Sequence, residues 1–225
     1  MTQKKFWAGF VKASAIAILF LPMAQVSSAQ APQLRTPDYD AVRDFSISSN
    51  PNGVWSYGWE SSLGDTLNLY AVTDTTSTPG MSAWLEAGTY YSVPPFVAHN
   101  DTGKVLCLPG SMCVPPAYLH VHPGPNGELT VVRWTAPSSG KFLIEGEFEG
   151  LDPNGLTTVD VHVLVNSTKS LLSGPITSYQ WPLRFKLIVR VSAGDTVDFA
   201  VGFGKNGNFI CDSTGVRFAL LHLEK

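Results

Sequence analysis

The chain has 225 residues, a net charge of −3, and 15% charged against 44% hydrophobic residues. With twenty glycines and sixteen prolines, this balance excludes a coiled coil, a collagen-like rod and a charge-rich disordered chain, and it suits a turn-rich β domain. The lack of a basic excess also argues against nucleic acid or an anionic membrane surface as partner, since neither attracts a chain without a basic patch.

Lys4 and Lys5 precede a mostly apolar run from Ala8 to Leu21, and Ser27-Ser28-Ala29 offers the small residues a signal peptidase requires. This is the pattern of an export signal, with cleavage expected after Ala29. Lys12 interrupts the run and Pro22 ends it, leaving it short of the ~20 apolar residues of a membrane span. Residues 1–29 carry three of the fifteen basic residues and no acidic one, so the processed chain would carry −6. The expectation is a secreted protein, periplasmic or extracellular, with no membrane span after cleavage. A flexible segment at 30–41 would lead into one β-sandwich domain at 42–225.

Along that domain, short alternating runs predict strands near 42–48, 54–59, 66–72, 82–87, 117–121, 128–135, 141–149, 157–165, 183–191, 195–203 and 216–223. In Thr157–Val165 every odd position from 159 is Val, a period of two that buries one face and wets the other. Phe185, Leu187, Val189 and Val191 alternate with Arg184, Lys186 and Arg190 in the same way. Asn-Gly pairs at 52–53, 126–127, 154–155 and 206–207 separate the runs, and Asn-Gly is the sequence signal of a hairpin turn. Residues 88–116 break the rhythm with Pro94-Pro95 and Pro115-Pro116 and predict a long structured loop on the rim.

Three cysteines are present. In an oxidising compartment Cys107 and Cys113 are expected to close a small ring, with a bridge from Cys211 to either as the alternative. A six-residue separation stabilises by only about 2 kcal/mol in the chain-entropy model.

Several stretches resemble one group of proteins. They are Asn50-Pro51-Asn52-Gly53-Val54-Trp55-Ser56-Tyr57-Gly58, Val132–Pro137 with Gly140, Gly194-Asp195-Thr196-Val197-Asp198-Phe199 and Cys211-Asp212-Ser213-Thr214. Together they are similar to secreted bacterial galactose-binding-like jelly rolls, found in exported and PEP-CTERM-type surface proteins. The resemblance implies an all-β, antiparallel two-sheet sandwich and a carbohydrate-binding role.

Candidate site residues follow from residue type and spacing. Trp55, Tyr57 and Trp59 at i, i+2 and i+4 would share one face of a strand, as a strip for stacking sugar rings or as core. Tyr179-Gln180-Trp181, bracketed by Pro175 and Pro182, places an indole and an amide in a turn, where they could stack on and orient a sugar. Glu145, Glu147 and Glu149 alternate on one strand, and Asp160 and His162 on the next. If those strands pair, Glu145, Glu147, Asp160 and His162 could hold calcium; otherwise they form a solvated face. His120-Val121-His122 with Glu128 approximates a cupin metal motif, one residue out of step. Gly202-Phe203-Gly204-Lys205-Asn206-Gly207 has dinucleotide spacing but no βαβ unit around it, and no G-x-S-x-G elbow occurs. The reading is a secreted, non-catalytic polysaccharide-binding domain. A structural or adhesive surface protein, and a metal-dependent enzyme on His-x-His, are the alternatives.

Overall fold

The computed structural model describes residues 36–92, 94–108, 112–155 and 157–223. The expected export signal lies outside them. Two antiparallel sheets are stacked face to face, and no helix occurs among the described residues, hence none able to cross a membrane. The chain is an all-β sandwich.

One sheet contains β1 (Tyr39–Asp40), β4 (Val72–Asp74), β5 (Met81–Leu85), β6 (Phe96–Asn100), β9 (Leu119–His122), β11 (Gly140–Gly150), β14 (Leu183–Val191) and β16 (Thr214–His222). Its order is β14-β11-β16-β9-β6-β5-β4, with β1 added beside β16. The other sheet contains β2 (Trp55–Glu60), β3 (Asn68–Leu69), β10 (Leu129–Thr135), β12 (Asp160–Val165), β13 (Lys169–Pro175) and β15 (Thr196–Gly202), in the order β13-β12-β15-β10-β2-β3. A ribbon of β7 (Leu106–Cys107) and β8 (Cys113–Val114) stands apart and holds the Cys107–Cys113 disulfide. From β10 onward the chain passes repeatedly between the layers, which is the winding of a jelly roll.

That winding corrects the hairpin expectation. Asn126-Gly127 joins β9 to β10, Asn154-Gly155 joins β11 to β12, and Asn206-Gly207 joins β15 to β16, each pair lying in different sheets. Gly53, Gly127 and Gly207 adopt the positive φ foreseen. At Asn52-Gly53 the tight turn forms as expected, Asn52 and Trp55 exchanging N–H···O bonds at 2.8 and 3.0 Å, while the other turns arch across the sandwich. A tight same-sheet hairpin instead crosses Asn166-Ser167-Thr168, where Asn166 and Ser167 sit at φ 50° and 57° between β12 and β13. Strand β13, rich in Ser and Gly, was not foreseen.

The alternating runs place their apolar sides between the sheets. Val159, Val161, Val163 and Val165 meet Phe142, Ile144 and Phe148, while Phe199 and Phe218 stack across the layers at 3.5 Å between centroids. Trp55, Tyr57 and Trp134 belong to the same core. Segment 42–48 is not a strand, yet Val42, Phe45 and Ile47 pack on the core margin, and β1 pairs Tyr39 with Leu220 and Asp40 with Ala219. The C-terminal end of the segment expected to be flexible is therefore tied into the sheet.

The long excursion is also more ordered than a rim loop. Its β6 occupies the sheet interior between β5 and β9. Around it, Met81, Leu85, Tyr90, Phe96, Leu108, Met112 and Val114 form a second small core. The run was hidden by Pro94-Pro95 ahead of it and by His99 and Asn100 within it.

Candidate functional site

The connections after β11, β13 and β15 gather at one end of the sandwich, where the described residues 151–155 and 157–159, 176–182 and 203–213 meet. Leu151 N–H donates to Ser213 O at 2.9 Å, Gln180 N–H to Gly150 O at 3.1 Å, and Tyr179 bridges Gly150. Asp212 ties the first and third connections, accepting from Thr158 N–H at 2.8 Å and from Thr158 Oγ1 at 3.1 Å. Its second oxygen has no partner among the described residues, and burial raises the carboxyl to about 6 despite the Thr158 bonds.

An open cleft of about 540 Å3 lies at this end, against the edge pair β12–β13. Asp160, His162 and Ser173 line it from the strands, Thr177 from the 176–182 connection, and Lys205 and Asn206 from the 203–213 connection. Because Val161 and Val163 point into the core, the alternation sends Asp160 and His162 outward, and register puts His162 opposite Ser173. His162 Nε2 lies 2.8 Å from Asp160 Oδ2, and its Nδ1 lies 3.0 Å from Ser173 Oγ. Asp160 Oδ1 accepts Gly204 N–H at 2.8 Å. The bond to His162 holds the Asp160 carboxyl below its usual range, outweighing burial and helped by the Gly204 amide.

The 176–182 connection carries the exposed aromatics. Trp181 is 79% exposed and Tyr179 40%, whereas Trp55, Trp84 and Trp134 are buried and Trp59 is half-buried. The segment is anchored by buried Ile176, whose N–H donates to Val159 O at 2.9 Å. Gln180 is held at φ 54°, a left-handed conformation of order 1 kcal/mol costlier for a non-glycine, and its bond to Gly150 fixes it there.

Other sequence candidates are relocated. Trp55 and Tyr57 are core residues, at 1% and 0% exposure, so the 55–57–59 strip is not a stacking platform. Its inward face is dictated by pairing with β10, which sets Trp55 against Trp134 and Tyr57 against Val132. The calcium set is not assembled, because β11 and β12 lie in different sheets. Glu147 is instead clamped by Arg184 and Arg217, each at 2.8 Å, with Tyr118 donating a further bond. Burial would push that carboxyl up, but the Tyr118 and arginine bonds outweigh it and hold it low. Glu145 pairs with Lys186.

The His-x-His pair is likewise absorbed into the outer packing of β9. His120 is fully buried, with Nδ1 2.7 Å from the Tyr90 hydroxyl and its ring edge-on to Phe96, and burial drives its ionisation well below the usual histidine value. His122 lies with Nδ1 2.8 Å from Pro123 O, and Glu128 accepts bonds from Asn126. Among the described residues no three His, Cys, Asp or Glu side chains are arranged to hold a metal. Cys211 is a free, half-buried thiol, pushed up by burial and by neighbouring Asp152. Ser173 escaped the sequence reading because its strand lacks a clear apolar period, although a turn at Asn166-Ser167 would have aligned it with His162.

No protein-family model matches the chain, and no curated protein matches it. Solved structures similar to it include CBM51 from Clostridium perfringens GH95 in complex with methyl-galactose, at 13% identity and a TM-score of 0.35, covering 68% of this chain and 94% of that one. A family 35 carbohydrate binding module from Clostridium thermocellum aligns at 15% identity and TM-score 0.30, covering 62% and 88%. Pika GITRL aligns at 16% identity and TM-score 0.29, covering 42% and 75%. Likenesses this distant extend to carbohydrate-binding modules and to GITRL alike, and they decide nothing about a ligand.

Proposed function

We propose that this is an exported glycan-binding module whose binding surface is the loop end around Trp181. The observation that carries the reading is the exposure of the Trp181 indole on an anchored connection that also supplies Thr177 to the cleft wall. An indole held in water at 79% exposure is an apolar plane available to a sugar ring, and holding it in advance lowers the entropy cost of binding. Tyr179 and Gln180 stand beside it, and the cleft offers the carboxylate, amide and hydroxyl groups that orient a polyol. The disulfide suits an oxidising compartment.

Affinity measured against a polysaccharide panel, with Trp181→Ala compared at equal melting temperature, tests the reading. Removing the contribution of one stacked indole, about 1.5–3 kcal/mol, weakens binding roughly 10- to 100-fold. Equal affinities for both proteins, or no binding to any glycan, would discard it. A second reading as an adhesive surface protein is favoured by Leu69 and Val72, which are exposed on the edge strands β3 and β4 opposite β13 and β14. It requires concentration-dependent association by light scattering.

A further inference from the structure

The cleft beside the Trp181 connection holds an unbroken hydrogen-bonded chain from a carboxylate through an imidazole to a hydroxyl. Proton chemistry sets its direction. The Asp160 carboxylate can only accept, so His162 Nε2 carries the hydrogen at the 2.8 Å contact. Nδ1 of the neutral ring is then bare and accepts the Ser173 hydroxyl at 3.0 Å. Compared with the familiar serine-hydrolase arrangement the two ring nitrogens exchange partners, which leaves the proton relay chemically equivalent. The acid is held on both sides, by His162 and by the Gly204 amide at 2.8 Å. His162 is only 8% exposed, while Ser173 is exposed on edge strand β13, which has no strand on its far side among the described residues. A sheltered base with a reachable hydroxyl is the geometry a nucleophile needs.

We infer that Ser173 is the nucleophile of an ester-hydrolysing site, with His162 as general base and Asp160 as positioning residue, acting on small acyl esters carried by a glycan. Ser173 Oγ bonds to the ester carbonyl carbon as its proton passes to His162 Nδ1, and the carbonyl electrons become an oxyanion. Collapse breaks the carbon–oxygen bond to the sugar, whose departing oxygen takes the proton from His162. Water then attacks the acyl-serine by the same route, releasing the carboxylic acid and restoring Ser173. Lys205 brings an ammonium to the wall of the same cleft, the kind of group that stabilises an oxyanion, beside Asn206, whose carboxamide donates to Thr158 Oγ1 at 2.6 Å.

This step departs from the expectation of a non-catalytic domain. Its glycan substrate rests on the binding reading above, but a simple ester tests the relay without any sugar, so the two ideas fail separately. The full chain is treated with a fluorophosphonate probe and mapped by peptide mass, and hydrolysis of 4-nitrophenyl acetate is followed in parallel. The probe is expected on Ser173 and absent from Ser173→Ala, with saturable turnover in the native protein that falls to buffer background in that variant. Ser173 is exposed, so the variant keeps the fold, and its melting temperature verifies this. His162→Ala is expected to lower kcat at least 100-fold. Asp160→Asn is expected to lower kcat with KM unchanged, a split that loss of structure would not give. No label on Ser173, together with equal ester hydrolysis by native and Ser173→Ala proteins, overturns the inference.

Discussion

Glu60 ends β2 on the outer face of its sheet, only 1% exposed beneath the 61–67 connection. Burial raises its carboxyl from 4.5 to about 7, and Asp198 adds to the rise, while the Gly64 amide and Arg133 oppose it. Arg133 offsets little because its guanidinium is committed to Asp198, at 2.5 and 3.0 Å, and reaches Glu60 only at 3.4 Å. A group harder to ionise when folded than when unfolded favours the fold at low pH. That contribution is complete below 4.5 and is lost as pH rises through about 7. The displacement from 4.5 to about 7 corresponds to about 3 kcal/mol at alkaline pH. Glu60→Gln removes the titration while its amide oxygen still accepts the Gly64 N–H, which lies 2.9 Å from Oε2. At pH 8 the variant should melt roughly 5–10 °C above the native protein, and near pH 4.5 the two should coincide. Asp212, raised to about 6, titrates in both proteins and cancels in the difference. Calorimetric melting from pH 4.5 to 8.5 measures it. Parallel curves for the two proteins would refute the reasoning.

Two further stability predictions follow from local geometry. Asp74 accepts from Thr76 N–H at 2.8 Å, Ser77 N–H at 3.1 Å and Tyr90 N–H at 2.8 Å, and also from the Ser77 hydroxyl. Burial alone would raise its carboxyl, but these donors hold it far below the usual value, so its stabilisation is present above about pH 4 and fades in acid. Asp74→Ala should lose about 2–3 kcal/mol at pH 7 by denaturant unfolding, since it strands the buried Tyr90 N–H and removes the bonds that hold the Thr76-Ser77 turn; a loss under 0.5 kcal/mol would contradict this. Replacing Cys107 and Cys113 by Ser opens a ring of sequence separation 6 and should cost about 2 kcal/mol, read as a lower denaturant midpoint.

Strand polarity, and with it the sandwich, could be read from the chain because each half-buried run carries its own record of two environments. Val159 to Val165 and Phe185 to Val191 state which face is inward without reference to any partner. Turn positions were equally local, since Gly127 and Gly207 need positive φ wherever they lead. What those turns connect was not local. An Asn-Gly turn accepts a neighbour in its own sheet or an arch to the facing one, and here the buried area of the whole sandwich chose the arch. The same long-range choice separated Glu145 and Glu147 from Asp160 and His162, sent Trp55 and Tyr57 inward, and left Trp181 in water. It also aligned Ser173 with His162, a register set by the hairpin at Asn166-Ser167 rather than by composition. Period and turn chemistry are properties of a few consecutive residues, whereas exposure and side-chain encounter depend on which distant strands share a layer, and only the folded chain decides that.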